Sequence, residues 1–165
     1  MPLVSFLSRL SDLADRVMCR LVFLAVAALT LTITLQIAAR IFFDALPWTE
    51  ELSRYLLVFA TFGGASLAYK RGNHIAVTFL IGLARGRLRE LLGAVVQLFC
   101  LFFFAIAIRS SIQLISMQIY QTSPALGLPM RLVYLALPFG FSTMALHALA
   151  EFVACCRRAL RGEAA

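Results

Sequence analysis

Charge is scarce in this chain. Charged residues fill 14% of the 165 positions, hydrophobic residues fill 62%, and the mean hydropathy is +0.90. A water-soluble chain this short needs a larger polar fraction to cover its surface, so the composition points to a membrane. The four cysteines, Cys19, Cys100, Cys155 and Cys156, show no Cys-x-x-Cys or Cys/His ligand spacing. That argues against a zinc or thiol-redox motif, and their placement at helix ends or mid-span gives no disulfide framework. The two histidines, His74 and His147, are the one pair available to hold a haem between helices. Such a site needs both at matching depth, and surface contact for His74 with packing or hydrogen bonding for His147 suits them better. No metal or other cofactor is expected. Nucleic-acid binding needs a basic face on a folded soluble domain, and none can be built from what remains.

What is present are long uncharged runs. Leu21–Ala39 has 19 residues, Leu91–Ile108 has 18 and Leu132–Ala150 has 19, each bounded by a charged residue. A helix needs about 20 apolar residues to cross a hydrocarbon core of roughly 30 Å. Tyr55–Tyr69 is uncharged for only 15 residues and must borrow the preceding turn, Pro47 to Arg54, to reach across. The runs are continuous, without the alternation of a barrel strand. The reading is an all-α membrane protein, a single domain over 1–165, with four transmembrane helices. Its spans are expected at about 18–40, 48–69, 88–110 (extending outward to about 120) and 130–154. Two further stretches suit the membrane surface: the amphipathic N-terminal segment Pro2–Arg20, and the short apolar segment 74–86, which runs into Arg85, Arg87 and Arg89. A signal peptide is not indicated, since the apolar run starts late and no small-residue cleavage site precedes a soluble body.

Basic residues set the orientation. Arg9, Arg16, Arg20, Lys70, Arg71, Arg85, Arg87, Arg89, Arg157, Arg158 and Arg161 fall on the side that holds both termini, and only Arg40 and Arg131 on the other. Arg54 and Arg109 lie inside or at the edge of helices. By the positive-inside rule both termini are expected in the cytoplasm. Lys70, Arg71, His74, Arg85, Arg87 and Arg89 then form a cytoplasmic surface suited to anionic lipid.

The stretch after the first span carries the most information: Arg40, Asp44, Pro47, Trp48, Thr49, Glu50, Glu51, Arg54. Pro47 suits a first helical turn, Thr49 or Asp44 can cap, and carboxylates favour the positive end of the helix dipole. Arg54 stands four residues from Glu50 and three from Glu51, so it can neutralise either. Trp48 is an interface anchor. Two readings fit: a helix start that orients the chain, and a polar docking point for a partner. A catalytic carboxylate pair is disfavoured, because adjacent glutamates point to different helix faces. Gly63 and Gly64, with Ala60 and Ala68, let another helix approach closely. That helix can belong to this chain or to another. No Asp, Glu or Lys lies near the middle of any span. A coupled transporter usually needs such groups there, so the chain alone is poorly equipped to move a solute.

Several short pieces, in order, resemble one family. They are Gln36-Ile-Ala-Ala-Arg40, Pro47-Trp48-Thr-Glu50-Glu51-Leu-Ser-Arg54, Phe62-Gly63-Gly64-Ala-Ser-Leu-Ala, Lys70-Arg71-Gly72-Asn73-His74-Ile75, and Pro124 to Pro129 before a span with Pro138. Together, from about Leu13 to Val153, they resemble the small membrane subunit of tripartite ATP-independent periplasmic (TRAP) transporters, the DctQ-like family. Thr78 stands where that pattern has an acidic residue. The resemblance implies a non-enzymatic subunit in a bacterial inner membrane. Its implied partners are a large transmembrane permease subunit (1:1) and a periplasmic substrate-binding protein, for sodium-coupled uptake of an organic acid. It also favours docking for Arg40, Trp48, Glu50, Glu51 and Arg54. Two rival classes are a membrane anchor of a redox enzyme, using His74 and His147, and a small self-contained exporter. The exporter needs an embedded carboxylate that the spans lack.

Overall fold

The computed structural model describes residues 2–42, 44, 46–72 and 87–161. Between Leu3 and Leu46 there is no glycine or proline, so nothing interrupts the backbone ladder. The first helix, α1, accordingly runs unbroken over Pro2–Phe42, 41 residues. At about 1.5 Å per residue it is roughly twice as long as a hydrocarbon core is thick. The N-terminal stretch expected as a separate surface segment is instead the first half of this helix. It is docked on the rest of the molecule, with Ser11 and Met18 buried. The surface segment expected at 74–86 lies outside the described residues.

Helix α2 spans Pro47–Lys70, with Pro47 in the first turn and Leu46 as an extended N-cap. Neither Thr49 nor Asp44 caps it; Leu46 carries no side-chain cap, and the Thr49 hydroxyl donates back to the Leu46 carbonyl at 2.6 Å. Helix α3 is Arg87–Met117, α4 is Met130–Tyr134 and α5 is Ala136–Arg161. Pro138 has no N–H to offer the Tyr134 carbonyl, and its ring crowds that group, which accounts for the interruption at Leu135 between α4 and α5. Among the described residues there is no strand, only an isolated bridge between Thr122 and Pro129. Among the described residues three stretches are long and apolar enough to cross a membrane: Phe6–Phe42, Leu88–Met117 and Met130–Leu160. Helix α2 is not among them, and carries Glu50, Glu51, Arg54 and Lys70 toward its ends.

Helix α5 touches the three other long helices, and α1 also lies along α2. Chain reversals bring the α1 and α3 starts and the α2 and α5 ends to one end of the bundle (the termini end). The α1 end, the α2 start and the 118–129 connection lie at the other (the loop end). Tyr69, Phe104, Met144 and Ala148 form the buried core, with the Tyr69 and Phe104 rings edge-on at 5.3 Å. Close approach of backbones depends on two glycines. A Cβ at Gly63 would sit 2.5 Å from Val22 of α1, and one at Gly140 would sit 2.8 Å from Phe62 of α2. Most of the apolar surface faces outward: Phe23, Leu31, Phe99 and Phe102 are all at least two-thirds exposed. Hydroxyls of Thr30, Thr32, Thr34 and Thr61 donate to carbonyls one turn back in their own helices, so they present little polarity to that surface.

Candidate partner-facing site at the start of the second helix

Consecutive residues on a helix point about 100° apart, and this separates the two glutamates. Glu50 faces outward, where Arg54 lies 3.8 Å away and Gln36 of α1 donates to it at 3.4 Å. Glu51 faces inward and is 9% exposed. Its carboxylate accepts the Ser123 hydroxyl, the Ala125 N–H at 3.1 Å and the Leu126 N–H at 3.0 Å. Bonds to an ionised acceptor are the stronger kind, and here they take up the N–H groups of Ala125 and Leu126 in the loop.

The loop so held is itself folded. Ser123 N–H donates to the Leu128 carbonyl at 2.9 Å, Gly127 N–H to Ser123 at 3.0 Å, and Met130 N–H to Gln121 at 2.9 Å. Gly127 has φ +65°, a conformation that favours glycine, and makes the reversal. The Ser123 hydroxyl donates to Glu51 while its Oγ accepts the Leu126 N–H at 3.2 Å, so it closes the cluster from the loop side. Thr49, two residues before Glu51, is fully buried, and the Tyr55 hydroxyl meets Met130 Sδ at 3.5 Å. Around this centre Trp48, Ile119, Tyr120 and Leu128 remain exposed. The result is a fixed polar centre with an amphipathic rim at the loop end.

The other residues singled out in the sequence are spread over the molecule. Arg40 is exposed in the last turn of α1. Arg54 is solvated beside Glu50, and such exposed pairs contribute little to stability. Gly63 packs on α1, whereas a Cβ at Gly64 would meet no atom within 4 Å. Lys70 is bound to Asp12 of α1 at 2.8 Å. Arg71 is exposed with its guanidinium 3.8 Å from Cys19 Sγ, and Arg89 is exposed. His74 and Arg85 lie outside the described residues, and Arg87 begins α3. His147 is buried and bonds Ser11.

Three features escaped sequence reasoning. Ser123 precedes the proline-bounded turn without any local mark, and nothing nearby in the chain connects it to Glu51, 72 positions away. Gly140 lies within the uncharged run Leu132–Ala150, where nothing local names Phe62 of α2 as its neighbour. Arg158 bridges Glu90 of α3 and Glu151 of its own helix, each at 2.8 Å, and fastens α3 to α5 at the termini end. Among the described residues no group of three or more His, Cys, Asp or Glu is placed to hold a metal ion. Glu51 is committed to three donors and Glu50 is solvated, so the pair is arranged for shape and charge rather than for proton transfer.

Residues 29–158 match the family model described as "Tripartite ATP-independent periplasmic transporters, DctQ component". The chain belongs to the DctQ family. It is 32% identical over 106 residues to the isethionate TRAP transporter permease protein DctMQ of Oleidesulfovibrio alaskensis; this covers 63% of the chain but 17% of that much longer protein. It is 28% identical over 111 residues to a putative TRAP transporter small permease protein of Haemophilus influenzae, covering 67% of the chain and 69% of that relative. The matched DctQ region takes in the whole loop-end site, from Gln36 through Glu51 to Met130. As a DctQ protein with long apolar helices, the chain is a multi-pass membrane component of a transporter.

Proposed function

We propose that this DctQ protein is the small permease subunit of a TRAP transporter. It braces a large transmembrane permease subunit in about equal amounts and helps dock a periplasmic substrate-binding protein for sodium-coupled organic-acid uptake. The observation that carries this reading is the distribution of polarity. Among the described residues, carboxylates and ion pairs gather at the two ends of the bundle, while its flanks are apolar and exposed. Such a chain offers packing surface but no charged path for a solute. The relative whose printed name joins M to Q is a single much longer permease protein, which supports a large partner for the present chain.

In this proposal α2 is the fourth span. Its 24 residues are long enough to cross, its charged start sits at the outer interface, and its neighbours on both sides are apolar. The chain then crosses the inner membrane four times with both termini cytoplasmic, and the loop end faces the periplasm. Glu51 and Ser123 hold the outer loop in shape, while Trp48, Glu50, Arg54 and Arg40 present the surface that a partner reads. Arg71 and Arg89, with His74, Arg85 and Arg87, face anionic phospholipid headgroups on the inner side; Lys70 joins them through its exposed edge.

Affinity purification in a mild detergent tests the subunit reading. One much larger polytopic protein should co-elute in about equal amounts. Recovery of this chain alone, under conditions that preserve membrane complexes, would count against it. Organic-acid uptake by this chain alone in liposomes would overturn it.

A further inference from the structure

At the termini end α1, α2 and α5 meet in a polar junction that the loop-end site does not use. Ser11 Oγ and His147 Nδ1 are 2.8 Å apart, and the two residues are 5% and 4% exposed. Next along α1, Asp12 pairs with Lys70 of α2. Because α1 and α2 run antiparallel, one turn forward from Asp12 lies opposite one turn back from Lys70. That sets Asp15 against Ser66, and the following turn is the contact of Gly63 with Met18 and Val22. Asp15 also stands one turn beyond Ser11, the His147 partner, on the same face of α1.

Three side-chain atoms among the described residues are buried without a hydrogen-bond partner: Asp15 Oδ1, Ser66 Oγ and His147 Nε2. Ser66 is fully buried and His147 nearly so. Most buried polar side-chain atoms in folded proteins are hydrogen-bonded, and the helix register places these three exceptions at one junction of three helices. Scattered orphans would each need a separate explanation; three together need one shared partner.

We propose that a buried water molecule binds at this junction and joins Asp15, Ser66 and His147. The donor and acceptor count closes for either histidine tautomer. When Ser11 donates to Nδ1, the Nε2–H donates to the water, and the water donates to Asp15 and exchanges a bond with Ser66. When Nδ1–H donates to Ser11, the water donates to both Nε2 and Asp15 and accepts the Ser66 hydroxyl. A buried water typically makes about three such bonds. The consequence is directional. Apolar helix surfaces slide past one another with little change in energy, whereas a water fixed by three helices sets their depth. It ties the first half of α1 to the bundle.

The test is thermal unfolding of the assembled, full-length complex in mild detergent. Ser66→Ala should lower the melting temperature by several degrees, because it removes a hydrogen-bonded hydroxyl. If the hydroxyl were dry and unpaired, alanine would leave the melting temperature unchanged or raise it, and the proposal would fail. Combining Ser66→Ala with His147→Gln should give losses that do not add, since both act on one water. Additive losses would overturn the bridge even if each variant is destabilised. Should His147→Gln fail to accumulate, Asp15→Asn takes its place with the same two outcomes.

Discussion

Glu50 and Glu51 are neighbours in the chain with different surroundings. The first is solvated beside Arg54, and the second is buried and collects donors from a loop that follows α3. Replacing Glu51 with Gln keeps one acceptor oxygen but introduces a donor and removes the charge. Backbone amide exchange at Ala125 and Leu126 should therefore accelerate, with protection in the middle of α2 unchanged. Hydrogen-exchange mass spectrometry would read this, and unaltered exchange in that loop would show that the clamp is dispensable. Ser123→Ala removes one of the three donors and should produce a smaller change in the same peptides. Arg54 makes no comparable structural contact, so Arg54→Ala should leave insertion and the loop intact while weakening assembly or uptake. Unchanged uptake would reduce Arg54 to a residue of the helix start.

At the scale of elements, adjacent glycines on α2 separate self-packing from surface. Gly63 faces α1 with no room for a side chain, and Gly64 faces open space. Gly63→Leu should destabilise the chain by about 1–3 kcal/mol through overpacking. Gly64→Leu should leave the chain as stable or raise its stability by up to about 1 kcal/mol, since the added side chain meets no atom and leucine holds a helix better than glycine. If Gly64→Leu leaves the chain folded but prevents co-purification of the large partner, that face of α2 meets another subunit. The α3–α5 pair has a different fastening. Glu90 is buried and holds Arg158, which is itself about one-third exposed. Arg158→Ala leaves the carboxylate unpaired and should cost about 1–3 kcal/mol, moderated by water reaching the arginine side. A thermal melt of the variant complex would measure it.

For the whole molecule, the testable quantity is topology. Four crossings put N- and C-terminal reporters on the same side of the membrane. A fusion that fluoresces or reacts only in the cytoplasm should be active at both ends, and a thiol placed at exposed Tyr120 should react only with reagent added from the periplasm. Activity at only one of the two ends would leave three crossings and remove α2 from the spans. Composition and charge-free runs made the helical membrane character legible, because burial in lipid demands continuous apolar helices whatever their partners. The absence of glycine and proline from Leu3 to Phe42 permits one unbroken first helix, where the amphipathic spacing of Pro2–Arg20 had suggested a separate surface segment. The ordered short motifs, from Gln36–Arg40 to the proline-bounded loop, were enough for the DctQ family. Local spacing placed Glu50 and Glu51 on different faces but not which one would be buried, and it offered no sign that Ser123 was the partner. Nor did it distinguish Gly63, against α1, from Gly64, in the open, or mark Gly140 as the contact with α2. Those outcomes depend on the rotation and depth at which distant helices meet, and only the tertiary structure decides that.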